Sequence, residues 1–263
     1  MKRLLYTCLL IVSCFGVAAE AAVAAKTQSP VLTRGNVKVI EATENIRFLS
    51  QEIAKSYLLL FAAPDHESLV DHLKKSLVDL NANLHAIATT TNDNDTRDIL
   101  DFLAYSKDQI AEILNERPDA EKAALMLDYS ETLLEGADSI ASAHAYPFTK
   151  EEHMLIIAKK MSFLLERMMK YYIALHVGFD NTTNDEQMQK AIEKFNVHLA
   201  TIETYRYPSA IDAVKKELEK GWKIDRHFLH DSKIIFLPEL MLLSTGDLEE
   251  MIRKIRLYHN QNL

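Results

Sequence analysis

The chain repeats itself. At an offset of 115 residues and without a gap, Phe48-Leu49 becomes Phe163-Leu164, and Lys55, Tyr57 and Leu60 become Lys170, Tyr172 and Leu175. The register continues through Asp65 and Asp180, Lys75 and Lys190, and Asn81 and Asn196. It persists to Leu125-Met126-Leu127 against Leu240-Met241-Leu242, and to Glu135 against Glu250. Leucine matches alone carry little, because any two amphipathic helices share them. Polar matches in one register over the whole length are a different matter. Whatever the first unit (residues 34–148) folds into, the second (residues 149–263) is expected to fold into again.

That unit is helical. The chain has only 6 Gly and 6 Pro, where average usage gives roughly 18 and 13. Sandwiches, barrels and doubly wound sheets need more tight turns than so few turn residues supply. With 48% hydrophobic and 26% charged residues, disorder and low complexity are excluded as well. Each unit divides into four helical stretches. In the first unit, Val37 to Phe61 runs up to Ala63-Pro64. Next, Leu69, Leu73, Leu77, Leu80, Leu84 and Ile87 recur every three or four residues, one face of an amphipathic helix. A polar loop, Thr89 to Asp95, offers Asp95 or Thr96 as the cap of a third helix, which stops at Arg117-Pro118. A fourth, Ala120 to Ala143, ends before Tyr146-Pro147. Short connections favour antiparallel neighbours. The expected fold is all-α: two tandem up-down four-helix bundles, eight helices in all, with the fourth and fifth nearly end to end across Pro147. Gly136, Gly221 and Gly246 fall inside helices, where each predicts a bend, a close helix contact or a misplaced boundary.

Residues 1–25 read as a signal peptide: basic Lys2-Arg3, an apolar run from Leu4 to Ala19, and small-residue cleavage sites at Ala19-Glu20-Ala21 and Ala22-Val23-Ala24. The alternative is a lipoprotein, since Ile11-Val12-Ser13-Cys14 has the form of a lipobox. Both cysteines, Cys8 and Cys14, lie in this segment, so disulfides and thiol chemistry are not expected of the mature chain. The formal net charge of -8 disfavours nucleic acid and anionic lipid as partners. These features predict a soluble exported protein.

Arg47-Phe48-Leu49-Ser50-Gln51-Glu52-Ile53-Ala54-Lys55-Ser56-Tyr57-Leu58-Leu59-Leu60 resembles the first helix of the PilJ-like N-terminal sensor domain of type IV pilus methyl-accepting chemotaxis transducers. That family is related to the periplasmic domains of nitrate/nitrite sensor kinases. Ala62-Ala63-Pro64-Asp65 and the helix from His66 match its continuation, and Ser162-Phe163-Leu164-Leu165-Glu166-Arg167-Met168-Met169-Lys170 carries a weaker copy of the motif. The resemblance implies two tandem copies of the domain. It further implies that an arginine at the Arg47 position binds an anion where two first helices pack together, with Ser50, Gln51 and Lys55 as flanking candidates. A guanidinium in such a seam suits planar oxyanions. Glu44 stands where the family has a small residue, and Ser162 takes the arginine's place in the second copy, beside Lys159 and Lys160.

Other patterns point to structure. His227 and His230, followed by Asp231, share a helix face but have nothing else of metal-site type nearby in sequence, and NDNDTRD at residues 92–98 lacks the glycine and distal glutamate of a calcium loop. Met161, Met168, Met169, Trp222 and Tyr105 read as packing residues. No phosphate loop, G-x-S-x-G or H-E-x-x-H motif is present. The sequence therefore predicts no enzyme, no cofactor and no metal site. The resemblance implies a soluble periplasmic sensory or ligand-binding module for a small anion that relays through a membrane-bound signalling partner. Its first helix is the expected homodimer contact, a role the duplication can also fill. The alternative is an interaction or structural protein of the envelope, serving a pilus, receptor or transporter, with no small ligand.

Overall fold

The computed structural model describes residues 34–230 and 236–263; the expected signal peptide and Cys14 lie outside the described residues. Eight helices follow one another: α1 (Arg34–Ala62), α2 (Glu67–Thr90), α3 (Asn94–Ile113), α4 (Ala120–Ala143), α5 (Lys150–Ala174), α6 (Thr182–Glu203), α7 (Ser209–His230) and α8 (Pro238–Gln261). No strand occurs among the described residues. Side-chain caps fix the starts of α3, α4, α5 and α6. Asp93, two residues before the expected cap, accepts from the Thr96 amide, and Asp119 accepts from the Lys122 amide. Thr149 and Glu152 close a capping box on α5. After α5 the chain turns at Gly178, whose φ of 108° is readily adopted only without a Cβ.

In each half the four helices pack in order around a ring. α1 meets α2 and α4 while α3 meets α2 and α4; likewise α5 meets α6 and α8 while α7 meets α6 and α8. Asn45 bonds Asn83 and Glu52 bonds Ser76, so α1 and α2 are antiparallel. The halves join through α1 and α5, and each of these helices has three neighbours. This explains their sequences. α2 buries a stripe, Leu73, Ser76, Leu80, Leu84 and Ile87, but α5 is buried almost throughout from Met154 to Ala174. Across the join Glu44 lies beside its repeat equivalent Lys159 at one level, and Gln51 lies beside Arg167 further along. The two helices therefore run side by side in the same direction.

Two expectations fail. α4 and α5 do not run end to end: Arg167 and Lys170 on α5 reach Glu131 on α4, so the chain doubles back near Pro147. Tyr105 is not a packing anchor but 56% exposed. Two of the three interior glycines are close contacts. A Cβ on Gly136 would lie 2.5 Å from Leu103 Cδ2, and one on Gly221 would lie 2.7 Å from Leu248 Cδ2. Gly246 faces open space.

Candidate functional site

A helix buried on three sides should be apolar throughout, yet α1 and α5 carry buried polar and charged groups where they meet. The candidate residues of α1 fall into this seam but do not form one site. Arg47 is held on its own helix by Glu44, and its Nε donates to Asp138 Oδ1 on α4 at 2.5 Å. Ser50 is buried and donates to the Arg47 carbonyl. Gln51 is buried, donates to Ser50 and accepts from Arg167 at 3.2 Å. Lys55 pairs with Glu166 of α5 at 2.6 Å. Gln51 and Lys55 therefore tie α1 to α5, while Arg47 alone of the four reaches an open cleft.

The centre of the seam is a buried ionic cluster. Arg167 grips Glu131 with both terminal nitrogens at 2.7 Å, and the Lys170 ammonium reaches the same carboxylate at 2.5 Å and the Ser130 hydroxyl at 3.0 Å. One carboxylate thus serves two cations. Burial would raise the Glu131 carboxyl, but Lys170 and Arg167 outweigh it and bring it down to about 2. Burial brings the Lys170 ammonium down to about 8, and the neighbouring guanidinium adds to that shift against the pull of Glu131. Sequence reasoning finds Lys170 through its match with Lys55. It misses Glu131, whose counterpart at the repeat offset is Gly246.

Two clefts flank the seam. One, of about 340 Å³, is lined by Arg47, Asp138, Lys160, Phe163, Lys194 and His198. Lys160 and Lys194 make no ion pair among the described residues. His198 records the resulting field: burial first, then Lys160 and Lys194, bring its imidazole down to about 4. The other cleft, of about 350 Å³, has Glu44, Asn45, Phe48, Asp79, Lys159 and Arg256 among its lining. Lys159 and Lys160 are legible as seam cations from the first. Lys194 and His198 are missed, although the register that pairs Asp79 and Asn83 with them was available.

Among the described residues, no group of three or more His, Asp or Glu side chains is placed to hold a metal, and no helix is long and apolar enough to cross a membrane. Comparison with protein-family models, with curated proteins and with solved structures finds no match to the chain.

Proposed function

We propose that this chain is a binding module for a small anion, held in the cleft between α1, α5 and α6. The observation that carries the reading is the gathering of Arg47, Lys160 and Lys194 around one cleft whose lining includes a single carboxylate, Asp138. Glu44 and Asp138 together offset Arg47, so the surplus charge comes from the two lysines. Glu44 is 4% exposed and holds Arg47 from within the same helix. Asp138 has 56% of its side chain exposed, and such a pair is worth only about 0–1 kcal/mol. An incoming oxyanion therefore exchanges with Asp138 at little cost and leaves the Arg47–Glu44 contact in place. Releasing Asp138 loosens α4 from α1, and a ligand that prefers the loosened arrangement shifts the population toward it. In this reading the chain is a tandem PilJ-like sensor module of the periplasm that passes the change to a membrane-bound partner. The first helices of its own two halves supply the seam that a homodimer would otherwise form.

Thermal unfolding of the chain in the presence of nitrate, nitrite, sulfate and phosphate tests the proposal. At least one anion is expected to raise the midpoint by mass action, and Lys160→Met/Lys194→Met is expected to abolish the rise. Binding should also raise the His198 pKa, read by NMR, because the anion opposes the lysine field. No shift with any anion, or a shift untouched by the double variant, overturns the reading.

One observation favours a second reading, an interaction protein. A groove at α6 and α7 is lined by the apolar Ile192, Ile224 and Phe228, Ile224 being 59% exposed, together with Lys223 and Arg226, suited to an acidic amphipathic helix of a partner. Binding of such a helix that survives Ile224→Asp would refute it.

A further inference from the structure

The two clefts are the same place in the repeat. Asn45, Phe48, Leu49, Asp79 and Asn83 of one correspond at the 115-residue offset to Lys160, Phe163, Leu164, Lys194 and His198 of the other, and all ten line their clefts. Across the seam one pair is reciprocal, since Ser162 lines the first cleft and its equivalent Arg47 lines the second, while Lys159 and its equivalent Glu44 both line the first. The apolar pair, Phe-Leu, is identical in both. The ionic positions have diverged: where the anion cleft has Lys194 and Lys160, its twin has Asp79 and Asn45.

The twin cleft therefore carries both signs of charge. Asp79 is exposed on α2, and Asn45 and Asn83 lie beside it, their amides bonded to one another at 2.9 Å. Lys159 stands opposite on α5 and makes no ion pair among the described residues, although burial pulls its pKa down. Arg256 of α8 is partly committed, paired with Glu249 at 2.8 Å. At the back, Glu44 is almost wholly buried; its Oε1 receives Arg47, while its Oε2 accepts no hydrogen bond. A buried carboxylate oxygen without a donor is unfavourable, and a cation drawn into the cleft relieves it.

We propose that this second cleft binds a small zwitterion of the α-amino acid class. The ligand's ammonium group faces Asp79, with the Asn45 and Asn83 amides beside it and Glu44 behind. Its carboxylate faces Lys159. The side chain lies on Phe48 and Leu49. A cleft of about 350 Å³ is of the size that small-molecule sites have. The site is independent of the anion cleft, which it resembles in position but not in charge.

Calorimetric titration of the chain with a panel of α-amino acids tests this, with propionate as a carboxylate-only probe and ethylamine as an ammonium-only probe. At least one amino acid is expected to bind, and both single-charge probes are expected to bind at least about tenfold more weakly, since each forfeits one set of charged hydrogen bonds. Asp79→Asn, an exposed change that spares the fold, and Lys159→Met should each weaken binding by about tenfold or more. Lys160→Met/Lys194→Met should leave it intact, so failure here and failure of the anion site are separately visible. The proposal is overturned if no amino acid binds, if propionate binds as tightly as the best of them, or if binding survives both Asp79→Asn and Lys159→Met.

Discussion

Replacing Glu131 by Gln removes the one carboxylate that Arg167 and Lys170 share and keeps the side chain's shape. Lys170 is fully buried, while Glu131 is 32% exposed at its side chain. Breaking a buried pair from one side costs about 3–5 kcal/mol. Water reaches Glu131, which places the expected loss at the lower end, about 3 kcal/mol, or roughly 6–12 °C in the unfolding midpoint for a chain of this size. Adding Lys170→Met removes the ammonium that Glu131→Gln has orphaned. The double variant should therefore be more stable than Glu131→Gln alone by about 1–2 kcal/mol, a coupling typical of residues in one network. Lys170 titrates at about 8 against an ordinary value of 10.5. Between those values the unfolded chain binds the extra proton, so stability contributed by this residue rises with pH across the window. Glu131→Gln should extend that rise to lower pH. Urea unfolding of the wild type, both singles and the double at pH 7 and pH 9 measures every quantity. A loss below about 0.5 kcal/mol for Glu131→Gln, the range of an ordinary surface change, would refute the argument. So would a Lys170→Met effect that is the same with and without Glu131.

The interior glycines give a paired expectation. Gly246→Ala, with open space at its Cβ, should stabilise by about 0.5–1 kcal/mol through helix propensity, whereas Gly136→Ala drives a methyl onto buried Leu103 and should destabilise by about 1–3 kcal/mol. Chemical denaturation checks both, and a shared sign contradicts the packing account. His259 is buried, with Glu151 at 2.6 Å from Nδ1 and the Tyr207 hydroxyl at 2.9 Å from Nε2. Burial lowers its pKa despite Glu151, so the unfolded chain takes up the proton first and stability should fall as pH drops below 6.5. His259→Gln should flatten that slope between pH 6.5 and pH 5 in thermal unfolding; parallel slopes would show that His259 is not the titrating group.

Much of the fold is legible because helical periodicity and the positions of proline are local signals. The helical pattern from about Ala120 to Ala143 coincides with α4. The reversal after α4 was not legible, since Pro147 marks a break without giving the direction of the chain beyond it. Tyr105 looked like an anchor because aromatic rings usually bury area, and only the ring of neighbours shows that its face of α3 is uncovered. Among the site residues, Arg47, Lys159 and Lys160 could be found from the first helices alone. Asp138, Lys194 and His198 sit on α4 and α6, and no spacing along α1 or α5 points to them. The repeat register was the one signal that could have, and it also pairs His144 with His259, both of which close a helix end through a side-chain bond.

Duplication within one chain explains why the seam is asymmetric. In a homodimer built on two identical first helices, both flanking clefts have the same residues, so any change that adds a lysine to one adds it to the other. Covalent tandem copies remove that constraint. Position 79 keeps an aspartate while position 194 holds a lysine, and position 131 holds a glutamate while position 246 holds a glycine. The same freedom shapes the interior: Lys170 is neutralised by Glu131 of the preceding half, but its counterpart Lys55 by Glu166 of the following one. Both lysines thus find a carboxylate in the other half of the chain. Neither half alone satisfies its own seam lysine, and a truncated half would expose a charged seam that only the other half completes.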